Sequence, residues 1–550
     1  MANFGFIIDN RKCIGCHACT VACKSEHEVP VGVNRTWVKY IEKGNFPNSR
    51  RLFSVMRCNH CDDAPCVEIC PVTALYRRPD GIVDFDNRRC IGCKACMQAC
   101  PYDALYIDPE TSTAAKCNYC AHRVDLGLEP ACVNICPTQA IISGDLDDPN
   151  SNIAQLKSRE QVTARKTEKG TQPALFYIEG DSSSLDPGEN NPNSQTMWGS
   201  QVGGVGHYAR YMDNRHSGDG NEALKKFLSL GDDDGVWQGD GSDPNYQKKA
   251  DQVQEELKQA DQKPSPSRRS YDSPSKGVLW GWQVTGYLWT KAIAAGVCII
   301  PMAGIALGRE VSAIAQWFAI VMALIFLGVT GLLLTMDLDQ PKRFLYVLLR
   351  PQWKSWLVRG AYIITAYSGV LLLWCLARLI NTGFANALAW PLVILAILTA
   401  IYTAFLFSQA KGRDFWQNPV LPIHMLAHAV MAGAAVFCMY APFASLDWEM
   451  WVRGALVGSI ALRVACDLFE MWTKHPTRDA QKVAHSIFRF DGQYAKLYWV
   501  GVFLVGAILP LVIGWSLTKW LLPVAGILTL VGIYLAEHIW VRAPQKVPLA

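Results

Sequence analysis

The feature that most constrains this chain is a series of sixteen cysteines in its first quarter, arranged in four groups of four. The groups are Cys13, Cys16, Cys19 and Cys23; Cys58, Cys61, Cys66 and Cys70; Cys90, Cys93, Cys96 and Cys100; and Cys117, Cys120, Cys132 and Cys136. The first and third groups share the spacing C-x2-C-x2-C-x3-C. In that spacing three thiolates hold one [4Fe–4S] cluster and the fourth ligates a neighbouring cluster. Because each four-iron cluster takes four thiolates, sixteen cysteines match four clusters with none left over.

Two other uses of cysteine fit this pattern less well. Structural zinc is bound by C-x2-C pairs, but it does not require a third and a fourth cysteine at these spacings. Disulfide frameworks are typical of secreted chains, and no signal peptide precedes Cys13. Strand-like runs at Phe4–Asp9, Gly81–Asp86 and Ala104–Asp108 flank the cysteine groups, which predicts a repeated ferredoxin-like α+β unit. Such small units have little apolar core, so we expect the clusters to hold the fold together.

The segments around the second and fourth groups resemble a known family. Residues 57–61 read RCNHC, residues 63–66 read DAPC and residues 116–123 read KCNYCAHR. Over residues 1–180 the pattern resembles the four-cluster electron-transfer subunit of complex iron–sulfur molybdoenzymes, such as polysulfide, dimethyl-sulfoxide and tetrathionate reductases and quinone-linked sulfite dehydrogenases. In that family the outer groups pair with each other, and so do the inner groups. The resemblance implies four ligand sets: Cys13, Cys16, Cys19 and Cys136; Cys117, Cys120, Cys132 and Cys23; Cys58, Cys61, Cys66 and Cys100; and Cys90, Cys93, Cys96 and Cys70.

Residues 181–275 differ in composition from both of their neighbours. Asp, Ser, Asn, Gly and Pro dominate this segment, which is typical of a polar linker or insertion. We expect two helical pieces in it, Asn221–Leu230 and Lys248–Ala260. The glycine cluster Gly203–Gly206 follows no strand, so we do not interpret it as a phosphate loop.

From Trp280 onward the chain is apolar enough to enter a lipid bilayer. Eight runs approach membrane-spanning length, at 281–307, 311–335, 357–381, 386–409, 419–442, 451–472, 496–517 and 519–540. Most lack the polar face of a buried soluble helix, so residues 276–550 predict an all-α polytopic membrane bundle of about eight helices. Lys and Arg number fourteen in the loops on the side of the cysteine-rich domain and four on the other side. Because of this asymmetry, and because no twin-arginine signal is present, we expect the cysteine-rich domain in the cytoplasm and the bundle in a bacterial inner membrane.

This half resembles the polysulfide-reductase membrane subunit, the NrfD-type family. The likeness lies in residues 287–289 and 294–296, in Asp337–Phe344 with Ser355 and Trp356, and in Phe415–Pro419. The resemblance implies a quinone bound near an iron–sulfur cluster and no haem. Many members of that family face the periplasm, so the charge count makes this chain more similar to the cytoplasmic sulfite-dehydrogenase type. A single chain that carries both parts also departs from the usual separate subunits.

Ionisable residues inside membrane spans are costly and usually mark function. The candidate quinone and proton path comprises Lys291, Asp337, His424, His428, Arg463, Asp467 and Glu470, with Glu537 and His538 beside them. At about 1.5 Å per residue these side chains lie in the leaflet nearer the clusters. We expect none in the far leaflet, and therefore no proton pumping by this subunit. Arg463 and Asp467 are four residues apart, so an internal ion pair explains them equally well. His424 and His428 share one helix and cannot both ligate one haem.

Two functions remain open at this point. The first is an electron-transfer and membrane-anchor subunit that relays electrons through four [4Fe–4S] clusters between a separate molybdopterin-type catalytic subunit and a quinone, either menaquinone or ubiquinone. The second is the same kind of module in a cytochrome-linked complex of the nitrite-reductase or alternative-complex-III type, without a molybdoenzyme partner. In both cases the substrate chemistry takes place on a partner. A non-redox scaffold would not explain sixteen ordered cysteines, no dinucleotide fingerprint for NADH is present, and a net charge of +4 does not call for nucleic acid.

Overall fold

The computed structural model describes residues 2–44, 49–189, 267–272, 276–380, 382–440, 445–515 and 518–550. Its first part is an α+β domain, hereafter the cysteine-rich domain. The strands are β1 (Phe4–Asp9), β2 (Thr36–Lys43), β3 (Arg50–Arg57), β4 (Leu75–Arg77), β5 (Val83–Phe85), β6 (Leu105–Asp108), β7 (Thr113–Lys116), β8 (Ile141–Asp145), β9 (Val162–Thr163), β10 (Leu175–Ile178) and β11 (Ser267–Tyr271). The helices of this domain are α1 (Ala18–Glu26), α2 (Pro65–Ile69), α3 (Ala95–Ala99), α4 (Ala121–Val124), α5 (Ala131–Asn134), α6 (Asn152–Arg159) and α7 (Ser182–Leu185).

Short strands frame the cysteine groups, as the sequence predicts. β1 lies between β8, to which it is antiparallel, and β10, to which it is parallel. It is covered on both faces, which explains why Phe6, Ile7 and Ile8 are all apolar and buried. The pairs β4–β5 and β6–β7 are two-stranded antiparallel ribbons between the second, third and fourth cysteine groups. The predicted repeat of strand, cysteine loop and short helix is therefore confirmed.

The segment predicted as a linker over 181–275 differs from that description at both ends. Residues 182–189 form α7 and a short 3-10 turn that pack on the cysteine-rich domain. β11 then pairs antiparallel with β2 and completes a three-stranded sheet with β3. Composition did not reveal this strand because it is short and lies among serine, proline and arginine residues. The two predicted helical pieces, Asn221–Leu230 and Lys248–Ala260, lie outside the described residues.

The second part of the chain is helical, as predicted. Its helices are α8 (Trp282–Ala306), α9 (Ala313–Met336), α10 (Tyr346–Leu349), α11 (Trp356–Ile380), α12 (Thr382–Ala387), α13 (Ala389–Gln409), α14 (Leu421–Cys438), α15 (Leu446–Trp472), α16 (Arg478–Phe488), α17 (Leu509–Trp515) and α18 (Leu522–Arg542). A π-helical stretch, Leu497–Ile508, runs directly into α17. Within the described residues, seven helices are long and apolar enough to cross a membrane. The remaining predicted run, 451–472, corresponds to α15, which has 27 residues but carries six charged side chains.

Small residues allow the bundle helices to approach closely. α8 and α14 touch at Gly296 and Gly433, where a Cβ on Gly296 would lie 1.8 Å from the carbonyl oxygen of Ala429. Gly506 and Gly532 make the same kind of contact between the π-helical stretch and α18. Close backbone approach at glycine is the usual means of packing helices in lipid, where burial of apolar surface gives little driving force. These contacts fix the spacing of the helices that carry the buried ionisable residues.

Candidate functional site

The cysteine-rich domain brings its sixteen cysteines together in four sets. Two hollows are lined by one set each: Cys13, Cys16, Cys19 and Cys136; and Cys70, Cys90, Cys93 and Cys96. In the other two sets the thiols lie close enough to interact electrostatically: Cys58, Cys61, Cys66 and Cys100; and Cys23, Cys117, Cys120 and Cys132. These are the four sets that the family resemblance implies, each with one cysteine from a distant group. Their role as cluster ligands stays a prediction.

Glycine makes the cysteine loops of the first and third groups possible. Gly15 and Gly92 have φ of 70° and 71°, in the left-handed region. A Cβ on Gly15 would lie 2.4 Å from a ring carbon of Phe53, and one on Gly92 would lie 2.6 Å from Cβ of Asp339. The turn directs the Gly92 N–H towards Sγ of Cys90 at 3.5 Å. Such N–H contacts favour a thiolate and tune a bound cluster.

The chemistry of the four sets fits iron–sulfur clusters. Burial raises the pKa of Cys19 to about 11 and that of Cys120 to about 12, so these thiols need a strong positive charge nearby to act as thiolates. Within the described residues, no three His, Cys, Asp or Glu side chains converge closely enough to hold a single metal ion. A cluster of four irons is larger than one ion and binds its thiolates farther apart.

The third cysteine group faces the membrane bundle. Trp280 Nε1 donates a hydrogen bond to the carbonyl oxygen of Cys93 at 3.2 Å, and Arg343 Nη1 donates to that of Cys90 at 2.9 Å. Ser355 Oγ donates to the carbonyl oxygen of Ile69, next to Cys70, at 2.7 Å. These three contacts come from segments of the bundle that carry the motifs of the NrfD resemblance or lie beside them. They join the set of Cys70, Cys90, Cys93 and Cys96 to the membrane surface.

An apolar cavity, with about 970 Å³ of space including the part open to solvent, lies directly beneath this set. Cys93 lines it from the cysteine-rich domain, and Val284, Tyr287, Leu334 and Tyr402 line it from the bundle. Its few polar groups include the two tyrosines and Asp337, which follows the last residue of α9. Burial raises the pKa of Asp337 to about 7. The cavity therefore suits a large, mostly apolar ligand with a small polar head group.

A second cavity, the polar cavity, lies among α14, α15, the π-helical stretch and α18, with about 510 Å³ of space including the part open to solvent. His424, Arg463, Asp467, Glu470 and Tyr498 line it. Arg463 Nη2 lies 2.8 Å from Asp467 Oδ2, and the hydroxyl of Tyr498 donates to the same oxygen at 3.1 Å. His424 Nε2 lies 3.3 Å from Asp467 Oδ1. The π-helical stretch contributes Tyr498, and π-helical turns often occur at functional sites.

Buried ionisable side chains connect the polar cavity to the apolar one. The ring centroids of His424 and His428 are 4.3 Å apart, and His428 Nδ1 lies 2.7 Å from Glu537 Oε1. Glu537 is near enough to interact electrostatically with Lys291. The ammonium group of Lys291 donates to the carbonyl oxygen of Ala400 at 3.0 Å and to the hydroxyl of Thr403, and it lies 4.8 Å from the ring centroid of Tyr402. Tyr402 in turn lines the apolar cavity.

The candidate residues from the sequence therefore lie at the two cavities and between them, with one exception. Asp337 lies at the apolar cavity, four others line the polar cavity, and Lys291 and His428 lie between them. His538 lies outside this network, beside Tyr534, with ring centroids 6.5 Å apart. Sequence reasoning missed Tyr402 and Val284 as lining residues, because a tyrosine or valine within an apolar run carries no signal of its own. Tyr287 was part of a motif, but no role was inferred for it.

One expectation about the far leaflet is wrong. α15 begins at Leu446, earlier than the predicted 451, so Glu449 and Arg453 lie within its first turns and are buried. Arg453 Nη2 lies 2.7 Å from Glu449 Oε1, and Arg453 Nη1 donates to the carbonyl oxygen of Gly514. Arg453 is fourteen residues before Asp467, which is about 21 Å along the helix. The far half of the bundle thus contains an ionisable pair, held together within one helix.

Comparison with known proteins agrees with both halves of the chain. The family model described as polysulphide reductase, NrfD, matches residues 272–547. Two models, each described as a 4Fe-4S dicluster domain, match residues 12–75 and 50–146. The matched ranges contain the apolar cavity, the polar cavity and all four cysteine sets.

Individual relatives cover the cysteine-rich domain. A tetrathionate reductase subunit of Salmonella typhimurium is 45% identical over 188 residues, which are 34% of this chain and 75% of the relative. Protein NrfC of Escherichia coli is 43% identical over 178 residues, or 32% of this chain and 80% of that protein. A polysulfide reductase polypeptide of Wolinella succinogenes is 40% identical over 180 residues, or 32% of this chain and 93% of that protein.

Proposed function

Since this protein belongs to the polysulphide reductase NrfD family through residues 272–547 and carries dicluster 4Fe-4S domains before them, we propose that it passes electrons between a separate molybdopterin-type catalytic subunit and a membrane quinone. The protein is a membrane-bound iron–sulfur electron-transfer subunit of an oxidoreductase complex, and the substrate chemistry takes place on its partner. Relatives named for tetrathionate and polysulfide reductases support a partner of the polysulfide-reductase or sulfite-dehydrogenase type.

The observation that carries the proposal is the position of Cys93. This residue lines the hollow of its own cysteine set and also lines the apolar cavity in the bundle. A cluster ligated there would be separated from a ligand in the cavity by one side chain. Trp280 holds the Cys93 backbone on the bundle side of that contact. Electron exchange with a lipid-soluble carrier needs this closeness, and no other described cysteine lines the apolar cavity.

The four cysteine sets would each hold one [4Fe–4S] cluster, and the clusters would supply one-electron carriers in series. At the end remote from the bundle, Cys16 is exposed, and Cys13 and Cys136 are partly exposed. Ile14 beside them is 57% exposed. An exposed ligand set at this end suits electron exchange with a partner protein, because a docked subunit can approach it directly.

The apolar cavity would bind the quinone through Val284, Leu334 and the rings of Tyr287 and Tyr402. Asp337 lies where it can exchange a proton with the head group, since its carboxyl group is partly protonated near neutral pH. Lys291, next to Tyr402, begins the buried ionisable series that ends in the polar cavity. We assign that series to proton exchange with the aqueous phase on the side of the cysteine-rich domain.

By the excess of Lys and Arg in the adjoining loops, that aqueous phase would be the cytoplasm of a bacterium. The Glu449–Arg453 pair lies about 21 Å along α15 from Asp467, and we do not include it in the series, although Arg453 also contacts the carbonyl oxygen of Gly514. The subunit alone would therefore exchange protons on one side only. Proton release from reconstituted vesicles during quinol oxidation would check this, because release on the opposite side would contradict it.

The second candidate function is that of an iron–sulfur and quinone module without a molybdoenzyme partner. In that case the partner would be a cytochrome-containing complex, and the electron path within this chain would be unchanged. The metal content of the purified complex distinguishes the two. About sixteen irons per chain together with molybdenum or tungsten would support the molybdoenzyme, whereas the same iron content with haem would support the cytochrome.

The direct test is reduction of the clusters by a quinol in the purified complex, followed by electron paramagnetic resonance. We expect quinol to reduce them and a photoreactive quinone analogue to label residues of the apolar cavity, such as Tyr402 or Val284. Far fewer than about sixteen irons per chain would contradict the cluster assignment. Labelling confined to the far leaflet would contradict the quinone site.

A further inference from the structure

A single arginine lies at the junction of the two outer cysteine sets. Arg57 ends β3 and is only 1% exposed. Its Nη1 is 3.1 Å from Sγ of Cys132, and its guanidinium carbon is 4.6 Å from the ring centroid of Phe6. The thiolates of Cys132, Cys117 and Cys19 are its main electrostatic partners. Cys19 belongs to one outer set, whereas Cys117 and Cys132 belong to the other.

No carboxylate among the described residues compensates the charge of the buried Arg57. Its Nε and Nη2 are buried and have no hydrogen-bond partner among the described residues, and it takes part in none of the ion pairs that these residues form with carboxylates. An uncompensated charge in a protein interior is costly. Lys116, another buried cation of the domain, differs because its ammonium group donates to the carbonyl oxygens of Val83 and Cys117. The missing countercharge at Arg57 is therefore supplied from the cysteine sets.

Four thiolates around a four-iron cluster leave a net negative charge, which becomes more negative by one unit when the cluster is reduced. The reaction adds one electron and makes or breaks no bond. A fixed positive charge nearby stabilises the reduced state more than the oxidised state, because it interacts with the added charge. Arginine stays protonated throughout, so the effect needs no proton transfer.

We propose that Arg57 sets the reduction potentials of the two outer clusters, raising both, and raising most the potential of the cluster held by Cys23, Cys117, Cys120 and Cys132. This inference rests on the proposed function, because it requires clusters in these sets. The larger effect is expected where Nη1 contacts the ligand sulfur of Cys132, since hydrogen bonds to sulfur also tune cluster potentials. Arg57 would thus favour the electron residing on the outer clusters, at the end of the chain remote from the quinone cavity.

The test uses the purified full complex and three substitutions: Arg57→Gln, Arg57→Leu and Arg57→Lys. Arg88→Gln is the matched control, because the Arg88 side chain is 91% exposed and its charge is screened by water. The readouts are iron content and a redox titration followed by electron paramagnetic resonance. Neither readout requires turnover.

We expect Arg57→Gln and Arg57→Leu to lower two of the four midpoint potentials. One of these two should fall by at least about 59 mV, which is a tenfold change in the equilibrium constant of a one-electron reduction. Arg57→Lys should retain its iron and show less than half of that shift, and Arg88→Gln should leave all four potentials unchanged. Unchanged potentials in a neutral variant with full iron content would overturn the inference. So would loss of iron from all three Arg57 variants, which would make the residue structural. A wild-type complex with far fewer than about sixteen irons would instead refute the cluster assignment itself.

Discussion

The apolar cavity and the polar cavity lie among different helices of the bundle, and they have opposite linings. The apolar cavity is lined by a cysteine of one of the four sets, two tyrosines and aliphatic side chains. The polar cavity is lined by a histidine, an arginine and two carboxylates, of which Asp467 contacts both the histidine and the arginine. Only the first contacts the cysteine-rich domain through a cysteine.

This difference fits the proposed function, in which electrons and protons follow separate paths through the bundle. An electron can pass only over short distances, so in the proposed function the carrier would lie against the cysteine set at Cys93. A proton can be passed between ionisable groups, so its exchange with water can take place elsewhere, through Lys291, Glu537 and the two histidines. Four experiments, each based on one substitution or on a matched pair, test whether the cavities are separate in function, and they follow in order of expected effect.

The largest effect is expected from Asp467→Asn in the polar cavity. Asp467 is the carboxylate paired with the buried Arg463 at 2.8 Å, and removing one partner of such a pair costs about 3–5 kcal/mol. Thermal unfolding in detergent should show a clear loss of stability. The double variant Arg463→Leu/Asp467→Asn removes both charges and should recover much of it. A single variant as stable as the wild type would mean that Asp467 is not the countercharge.

Next in size is a matched pair of cavity-filling substitutions. Ala361 lines the apolar cavity and Ala536 lines the polar one. Ala361→Trp should slow quinone reduction about 100-fold, which is about 2.7 kcal/mol, because the indole occupies the space of the carrier. Ala536→Trp should slow it far less. Quinone reduction is measured with clusters prereduced by dithionite, and equal effects of the two tryptophans would contradict separate roles.

A smaller loss is expected from Lys291→Met, which interrupts the series between the cavities. Lys291 is 2% exposed and holds its ammonium group against Tyr402, Ala400 and Thr403. Without it, quinone turnover should fall about tenfold, which corresponds to about 1.4 kcal/mol, whereas reduction of the clusters by dithionite should be unaffected. Thr290→Val, one residue away on the same helix, is the control. An effect of Lys291→Met equal to that of Thr290→Val would remove Lys291 from the proton path.

The smallest effect is expected from Asp337→Asn, and it should appear mainly in the pH dependence of the rate of quinone reduction. Burial raises the pKa of Asp337 to about 7, so its carboxyl group is protonated below that pH and ionised above it. If it donates a proton during quinone reduction, the wild-type rate falls as the pH rises through about 7. The asparagine variant should be a few-fold slower at low pH and lack this inflection. Asp339→Asn, whose carboxylate pairs with Lys94 at 2.9 Å, should retain it.

Much of the cysteine-rich domain could be predicted because cysteine spacing is a local signal. The loop Cys90–Cys93 contains the glycine that its left-handed turn requires, and the family resemblance implied which distant cysteine joins each set. β11 could not be predicted, because a strand that only completes the edge of a sheet needs no apolar pattern of its own. The helices of the bundle were predicted nearly to their ends, since lipid demands long apolar runs.

In the functional site, the ionisable residues could be predicted from the sequence, whereas the residues that line the apolar cavity could not. Ionisable residues such as His428 and Arg463 are conspicuous because they are costly in lipid. An apolar cavity has no such signature. Val284 and Tyr402 lie on α8 and α13, far apart in the chain, and only packing brings them to the same space. The start of α15 was misplaced because Glu449 looks like a residue of a loop, whereas its pairing with Arg453 allows the helix to include both.

The hydrogen bond from the Ser267 hydroxyl to the carbonyl oxygen of Glu189, 2.8 Å long, has a consequence for protein engineering. It brings together Glu189 and Ser267, the described residues on either side of 190–266. A linker of a few glycines is therefore long enough to join Glu189 directly to Ser267. A chain shortened in this way would keep Glu189 and β11 at the separation that they have here.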